Sequence, residues 1–167
     1  MRVVSDFPKP LTVWLPAIRS GAGADVFTLR LAQALRRRGM QAVIVWFDRW
    51  YEFVPFLLRK VAPPPGTDLV IANSWNAFAF KRPGIPLVVI ELHCVFDPSF
   101  RPYKSYLQHL YHEILVRRYA VQSYRKAAKV VAISAFTAAS VERVMGVTGV
   151  ATINCWASPA HSAALNT

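Results

Sequence analysis

The chain has 167 residues, 54% of them hydrophobic, which excludes disorder over most of its length and leaves room for one sizeable core but not for two full α/β domains. Twenty Lys and Arg stand against nine Asp and Glu, a net charge of +11; this attracts polyanions without choosing among anionic lipid, sugar phosphate and nucleic acid. No apolar run reaches the roughly 18 residues of a membrane span, and the strongest, residues 86–96, is interrupted by Glu91 and His93.

Residues 1–10 carry Asp6 and two prolines and no apolar stretch, so no secretory signal is expected. Residues 11–15 read as a first strand, and Ser20-Gly21-Ala22-Gly23-Ala24-Asp25 as a flexible turn opening a helix. That helix runs to about Arg38, with Phe27, Leu31 and Leu35 on one face and Gly39 ending it. The cluster Arg36-Arg37-Arg38 suits the negative end of the helix dipole. Residues 41–47, 68–72 and 86–92 are the next three strands, short and rich in Val, Ile and Leu, as strands buried on both faces of a parallel sheet should be. Residues 103–128 turn helical, with an apolar stripe at 103, 107, 110, 114, 121, 124 and 128 that Arg117 interrupts. A fifth strand at 129–133 and a helix at 136–145, stopped by Gly146, complete the pattern.

Two regions depart from it. Residues 46–60 mix six aromatics with Arg49, Arg59 and Lys60; the plain reading is a strand followed by a helix packed on the sheet. Beyond Gly146 the chain becomes small and polar, with one strand-like run at 150–154.

Alternating strands and helices predict an α/β fold, a single Rossmann-like, doubly wound parallel sheet with helices on both faces. In such sheets ligands sit beyond the carboxyl ends of the strands. The loops expected there are Gly21 to Asp25 after the first strand, Asp48 after the second, Asn73 to Asn76 after the third, His93 after the fourth and Ser134 after the fifth.

Gly21 and Gly23 would let a phosphate or substrate approach the backbone at a helix amino terminus, although strand-to-helix turns also need glycine for geometry alone. Val26 stands where a dinucleotide fingerprint needs its third glycine, and there is no P-loop lysine. His93 offers a hydrogen bond or a base at a strand tip; a satisfied structural histidine is the competing reading. His109, His112 and Glu113 have spacing but no third ligand, so ordinary packing rather than metal is expected. Cys94 and Cys155 form no metal spacing and no disulfide framework, which fits a reducing cytoplasm. Between Ser99 and Lys129 seven basic residues face one acid, Glu113. The bland reading is a solvated face; the sharper one is an anionic membrane surface, helped by the aromatics of 46–60. No motif supports nucleic acid.

The run 20–26, then Leu31-Ala32-Gln33-Ala34-Leu35 and Arg38-Gly39, resembles the glycine-rich loop and first helix of family-4 retaining glycosyltransferases. Asp68-Leu69-Val70-Ile71-Ala72-Asn73-Ser74, the strand ending in His93, and Lys129-Val130-Val131-Ala132-Ile133-Ser134 with Thr137 are similar to three further segments of that family. The resemblance implies the amino-terminal, acceptor-side domain of a two-domain GT-B enzyme, spanning residues 1–146, with residues 147–167 a truncated or divergent tail. It implies His93 as the catalytic histidine facing the transferred sugar, Gly21, Gly23, Asp25, Asn73 and Ser74 as substrate- or phosphate-binding, and Ser134 and Thr137 as cap and packing residues. It implies a nucleotide-sugar donor as co-substrate, no bound cofactor and no metal. The acceptor is expected to be a glycan or lipid-linked molecule of cell-surface polysaccharide or lipopolysaccharide synthesis, with the chain in the cytoplasm or peripheral on the inner face of the plasma membrane. The donor half is expected to be absent, the chain alone inactive, and a separate donor domain to be its partner. Departures are Ala22 between the glycines and Cys94 where an acid is common. The alternatives are a non-catalytic membrane-associated binding module and a dinucleotide-binding oxidoreductase with Asp48 on the ribose.

Overall fold

A computed structural model describes residues 9–154; the expectations for the first eight residues, for Cys155 and for the rest of the tail lie outside them. The elements in chain order are β1 (Thr12–Ile18), α1 (Gly23–Arg37), β2 (Gln41–Phe47), β3 (Thr67–Asn73), β4 (Leu87–Glu91), α2 (Tyr106–Tyr111), α3 (Arg117–Lys126), β5 (Lys129–Ala132), α4 (Ala135–Met145) and β6 (Ala151–Thr152). The six strands form one sheet in the order β2-β1-β3-β4-β5-β6, every pair parallel. The α/β fold expected from the alternation of elements is the fold observed.

Strand pleating sorts the core. On one face Val13, Leu15 and Ala42 pack with Ala32, Leu31 and Leu35 of α1. On the other, Trp14, Val70, Ala72, Val89 and Val130 pack with Val116, Tyr119 and Tyr124 of the α2–α3 arm and Val141 of α4. Alternate residues of one strand thus serve opposite layers, as the period of two requires. Trp14 is fully buried and meets the edge of Phe80 at 5.4 Å, a contact that adds about 1 kcal/mol to its area burial.

Three boundaries differ from the sequence reading, each for a local reason. β1 does not stop before Pro16 but continues to Ile18, because beyond Trp14 it pairs with β2 alone. A proline without an N–H is tolerated beside an open edge. Residues 46–60 leave the sheet after Phe47 and form two 3-10 turns, Arg49–Glu52 and Pro55–Lys60, instead of a helix; Pro55 restricts the residue before it and separates them. The strand-like run at 150–154 shortens to Ala151–Thr152, because β5 ends at Ala132 and pairs with it only through Val131 and Ala132.

The long helical region is the most informative departure. It is broken into α2, a π-helical turn His112–Val116, and α3. The face buried against the core is His112, Val116, Tyr119, Ala120, Ser123 and Tyr124. The expected stripe therefore splits: Tyr124 points inward, whereas Tyr103, Leu107, Leu110 and Ile114 are exposed, Leu107 by 76%. A π turn adds a residue to the helical repeat, so a stripe drawn straight through it changes face.

Candidate functional site

The β1–β3 ladder ends at Trp14 and Val70, and the two strands then diverge towards their carboxyl ends. This is the topological switch point of the sheet, because the chain crosses from β2 over β1 to β3 there. A cavity of about 550 Å³ fills the gap. Its floor is apolar, with Leu15, Phe27, Leu31, Ile71, Ile90 and Ile133; its polar groups come from Ser20, Glu52, Asn73, Asn76, Glu91 and His93. An apolar cleft with a few convergent polar groups is the usual form of a small-molecule site. Among the described residues no Lys or Arg lines it.

The glycine loop divides by role. Gly21 has φ +70, a left-handed conformation that favours glycine, and it does not line the cavity. Gly23, in the first turn of α1, does. A Cβ placed on it meets nothing within 4 Å, and its φ is not in the positive range, so the fold itself makes no demand for glycine there. Asp25 is turned onto the loop. Its Oδ1 accepts from Ser20 N–H at 3.0 Å and from Ser20 Oγ at 2.8 Å, and its Oδ2 accepts from Gly21 N–H at 2.9 Å. Burial opposes ionisation, but these bonds and the Arg19 charge outweigh it and hold the carboxyl below its ordinary pKa. Asp25 staples the loop shut from within; it does not line the cavity.

Asn73 closes β3 with an Asx turn, its Oδ1 accepting from Trp75 N–H at 3.1 Å. Its neighbour Ser74 is fully buried and does not line the cavity; its hydroxyl lies beside Glu91 and Tyr124. Asn76, at the end of the loop expected beyond the third strand, lines the cavity with a buried Oδ1 that has no partner among the described residues.

His93 follows β4 and reaches the cavity from an exposed position, with Phe100 6.0 Å from its ring. Partial desolvation by the surrounding protein, then the Lys104 charge, lowers its pKa. The imidazole is therefore neutral at neutral pH, with one N–H donor and one acceptor nitrogen. The loop carrying it is pinned by Asp97, whose carboxylate accepts from Ser140 and Ser99 and pairs with Arg143. The Ser140 bond, foremost among these, holds Asp97 well below the usual carboxylate range.

Glu91, two residues earlier, is buried and accepts a hydrogen bond from Tyr124. Burial pushes its carboxyl up to about 7 against the smaller opposing pull of Tyr124 and Ser74. In the sequence Glu91 reads as a charge that spoils a membrane span, and a carboxylate inside an apolar strand is also the signal for a site group. Glu52 is a second carboxyl on the wall, raised chiefly by burial.

The remaining candidates lie elsewhere. Ser134 caps α4, accepting from Thr137 N–H at 3.1 Å. Asp48 is exposed at the end of β2. His112 is buried against Trp75, its pKa lowered to about 4, first by burial and then by Lys104. Glu113 pairs with Arg117 at 2.8 Å, and Cys94 is buried, its thiol pushed up to about 11 by that burial.

The family model for Glycosyltransferase Family 4 matches residues 46–159. The match takes in Asn73, Ser74, Glu91 and His93 and leaves the glycine loop outside. No curated protein matches the chain. A match over more than half the sequence, on a parallel sheet whose cavity opens at the switch point, shows that the chain belongs to glycosyltransferase family 4.

Proposed function

We propose that the cavity is the acceptor-side wall of a sugar-transfer site, and that the diphosphate of a nucleotide-sugar donor is held by cations from a separate donor-side domain. The observation that carries this reading is the absence of Lys and Arg from the lining among the described residues. A departing diphosphate needs preorganised positive charge where its negative charge develops. Two carboxyls and an Asp-stapled glycine loop would oppose it. The same groups suit a neutral, hydroxyl-rich acceptor.

His93 is the catalytic residue in this reading. Its neutral imidazole holds a hydroxyl of the transferred sugar or of the acceptor at the cavity mouth. Asn73 and Asn76 supply further amide contacts, and Gly23 lets the ligand approach the first turn of α1. Ser74 acts from behind, beside Glu91 and Tyr124. The apolar floor favours an acceptor with an apolar portion, and so a lipid-linked glycan of cell-surface polysaccharide synthesis, met on the cytoplasmic side of a membrane. The dinucleotide reading is disfavoured by Asp25, whose charge occupies the loop amides a pyrophosphate would need.

The test is a transfer assay with the chain alone, then with the protein encoded immediately downstream. Turnover that requires both supports the proposal. Turnover by this chain alone would overturn it.

A further inference from the structure

We propose that the Glu91 carboxyl and the Asn76 amide are a specificity-determining pair on the cavity wall, reading one uncharged substituent of the acceptor that both accepts and donates a hydrogen bond. The inference rests on the acceptor-site reading above and adds the chemistry that the site selects. Neighbouring strands supply the two side chains. Glu91 ends β4, Asn76 follows the Asx turn that closes β3, and the ladder sets Asn73 beside Ile90. Both residues line the cavity, yet Glu91 is only 3% and Asn76 only 6% exposed.

Each group still has hydrogen-bonding capacity to offer. Asn76 Oδ1 has no partner among the described residues. A buried oxygen without a donor is costly, and a ligand that donates to it removes that cost. At Glu91, Tyr124 Oη donates to Oε2, and the Ser74 hydroxyl lies beside the carboxyl. Because Tyr124 is the donor in that bond, the proton of the neutral acid belongs to the other oxygen. Burial places the carboxyl at about 7, so below that pH the acid donates and above it only accepts. The pair thus presents one donor and one acceptor among Leu15, Ile71, Ile90 and Ile133. A hydroxyl or an amide satisfies both. An anionic substituent cannot donate to Asn76, and it is repelled once Glu91 ionises. A site built from buried polar groups rejects a ligand that leaves them unpaired.

The titratable groups around Glu91 are Tyr124 from α3, His93 and Cys94 from the loop that follows β4, and Glu52 on the same cavity. β5 brings only Ala132 beside it. Burial pushes Tyr124 far up and Cys94 to about 11, so neither titrates between pH 6 and 8. His93 is lowered from 6.5 and Glu52 raised from 4.5; these two are the groups that a variant must separate from Glu91.

The experiment is calorimetric titration of the full chain at pH 6 and pH 8 with octyl β-D-glucoside and octyl N-acetyl-β-D-glucosaminide, each below its micellar concentration. With Glu91 at about 7, the acid fraction falls about tenfold over that interval, and the dissociation constant should rise about tenfold with it. Glu91→Gln donates at every pH and still accepts from Tyr124; it should bind at pH 8 as the wild type does at pH 6. Asn76→Ala should weaken binding about tenfold at both pH values and keep the slope. Tighter binding of the N-acetyl glycoside identifies an amide as the group read, and equal or weaker binding a hydroxyl. Circular dichroism at both pH values checks that the variants fold, and the wild-type slope and Asn76→Ala carry the test if Glu91→Gln does not. Four results would overturn the proposal: no binding of either glycoside, a wild-type affinity that ignores pH, a slope that survives Glu91→Gln and so belongs to Glu52 or His93, or an Asn76→Ala chain that binds as well as wild type. Turnover in the transfer assay is read separately, so the pair can fail while the sugar-transfer reading stands.

Discussion

The cavity wall and the surface beside it divide the chain's charge between them. The wall holds Glu52 and Glu91 and, among the described residues, no cation; the surface a few residues away holds Arg49, Lys60, Arg101 and Arg118 and exposes its leucines and aromatics. A net charge of +11 read as a single number suggests phosphate binding everywhere. Its distribution says otherwise: the cations lie on outer surfaces, and among the described residues none lines the cleft.

The largest test of that contrast is Glu91. Its carboxyl has a pKa of about 7 in the folded chain against 4.5 as a free side chain. The folded state therefore holds a proton that the unfolded state releases between those values. Its contribution is full below pH 4.5 and is lost as pH rises through 7, by on the order of 3 kcal/mol. Thermal melts from pH 4.5 to 8 should show the decline, and Glu91→Gln, which keeps the acceptor for Tyr124, should flatten it. A melt profile identical for both proteins would show that the wall is not desolvated.

Next comes His93→Ala. Assayed together with the proposed donor-side partner, it should lower turnover about 100-fold, some 2.7 kcal/mol, while leaving the melting temperature unchanged. An equal loss of stability would make His93 a structural residue. Asp97→Ala ranks third. It removes the acceptor for Ser140, Ser99 and Arg143, and should cost about 2 kcal/mol of stability by leaving those donors unpaired. Its folded pKa is depressed, so the wild-type contribution is present above pH 3.8 and fades as the solution is acidified below it.

Much of the fold was legible because a parallel sheet writes itself as short apolar runs, and β2 and β5 stand where those runs lie. The helical arm was not. Tyr103, Leu107, Leu110 and Ile114 share a face with Tyr124 only if the helix keeps one period, and no residue between them announces the π turn at His112–Val116. Apolar spacing reports a face; it does not report which face has a partner. The site was legible to the same degree. His93, Asn73 and Gly23 were placed at strand tips by topology alone and do reach the cavity. Ser74 was not separable from Asn73, because adjacent residues at a strand end point to opposite sides. Glu91 gains its character from desolvation, which the sequence signals only as a carboxylate inside an apolar strand.

Gly21 and Gly23 give the smallest effect and the sharpest separation of fold from site. Both precede or open α1, and the sequence treats them alike. Gly21 holds φ +70, so Gly21→Ala must force a side chain into the left-handed region, at about 1 kcal/mol. It would also disturb the amide that Asp25 accepts from. Gly23 has ordinary backbone geometry and open space where a Cβ would stand, and a glycine-to-alanine change inside a helix raises stability by roughly 0.5–1 kcal/mol. Gly23→Ala should therefore melt at or slightly above the wild-type temperature yet bind acceptor more weakly, because the added methyl occupies the cavity the loop lines. Gly21→Ala should do the reverse, melting lower with binding little changed. Melting curves beside acceptor titrations would separate them, and a Gly23→Ala chain that binds as well as wild type would remove the α1 turn from the site.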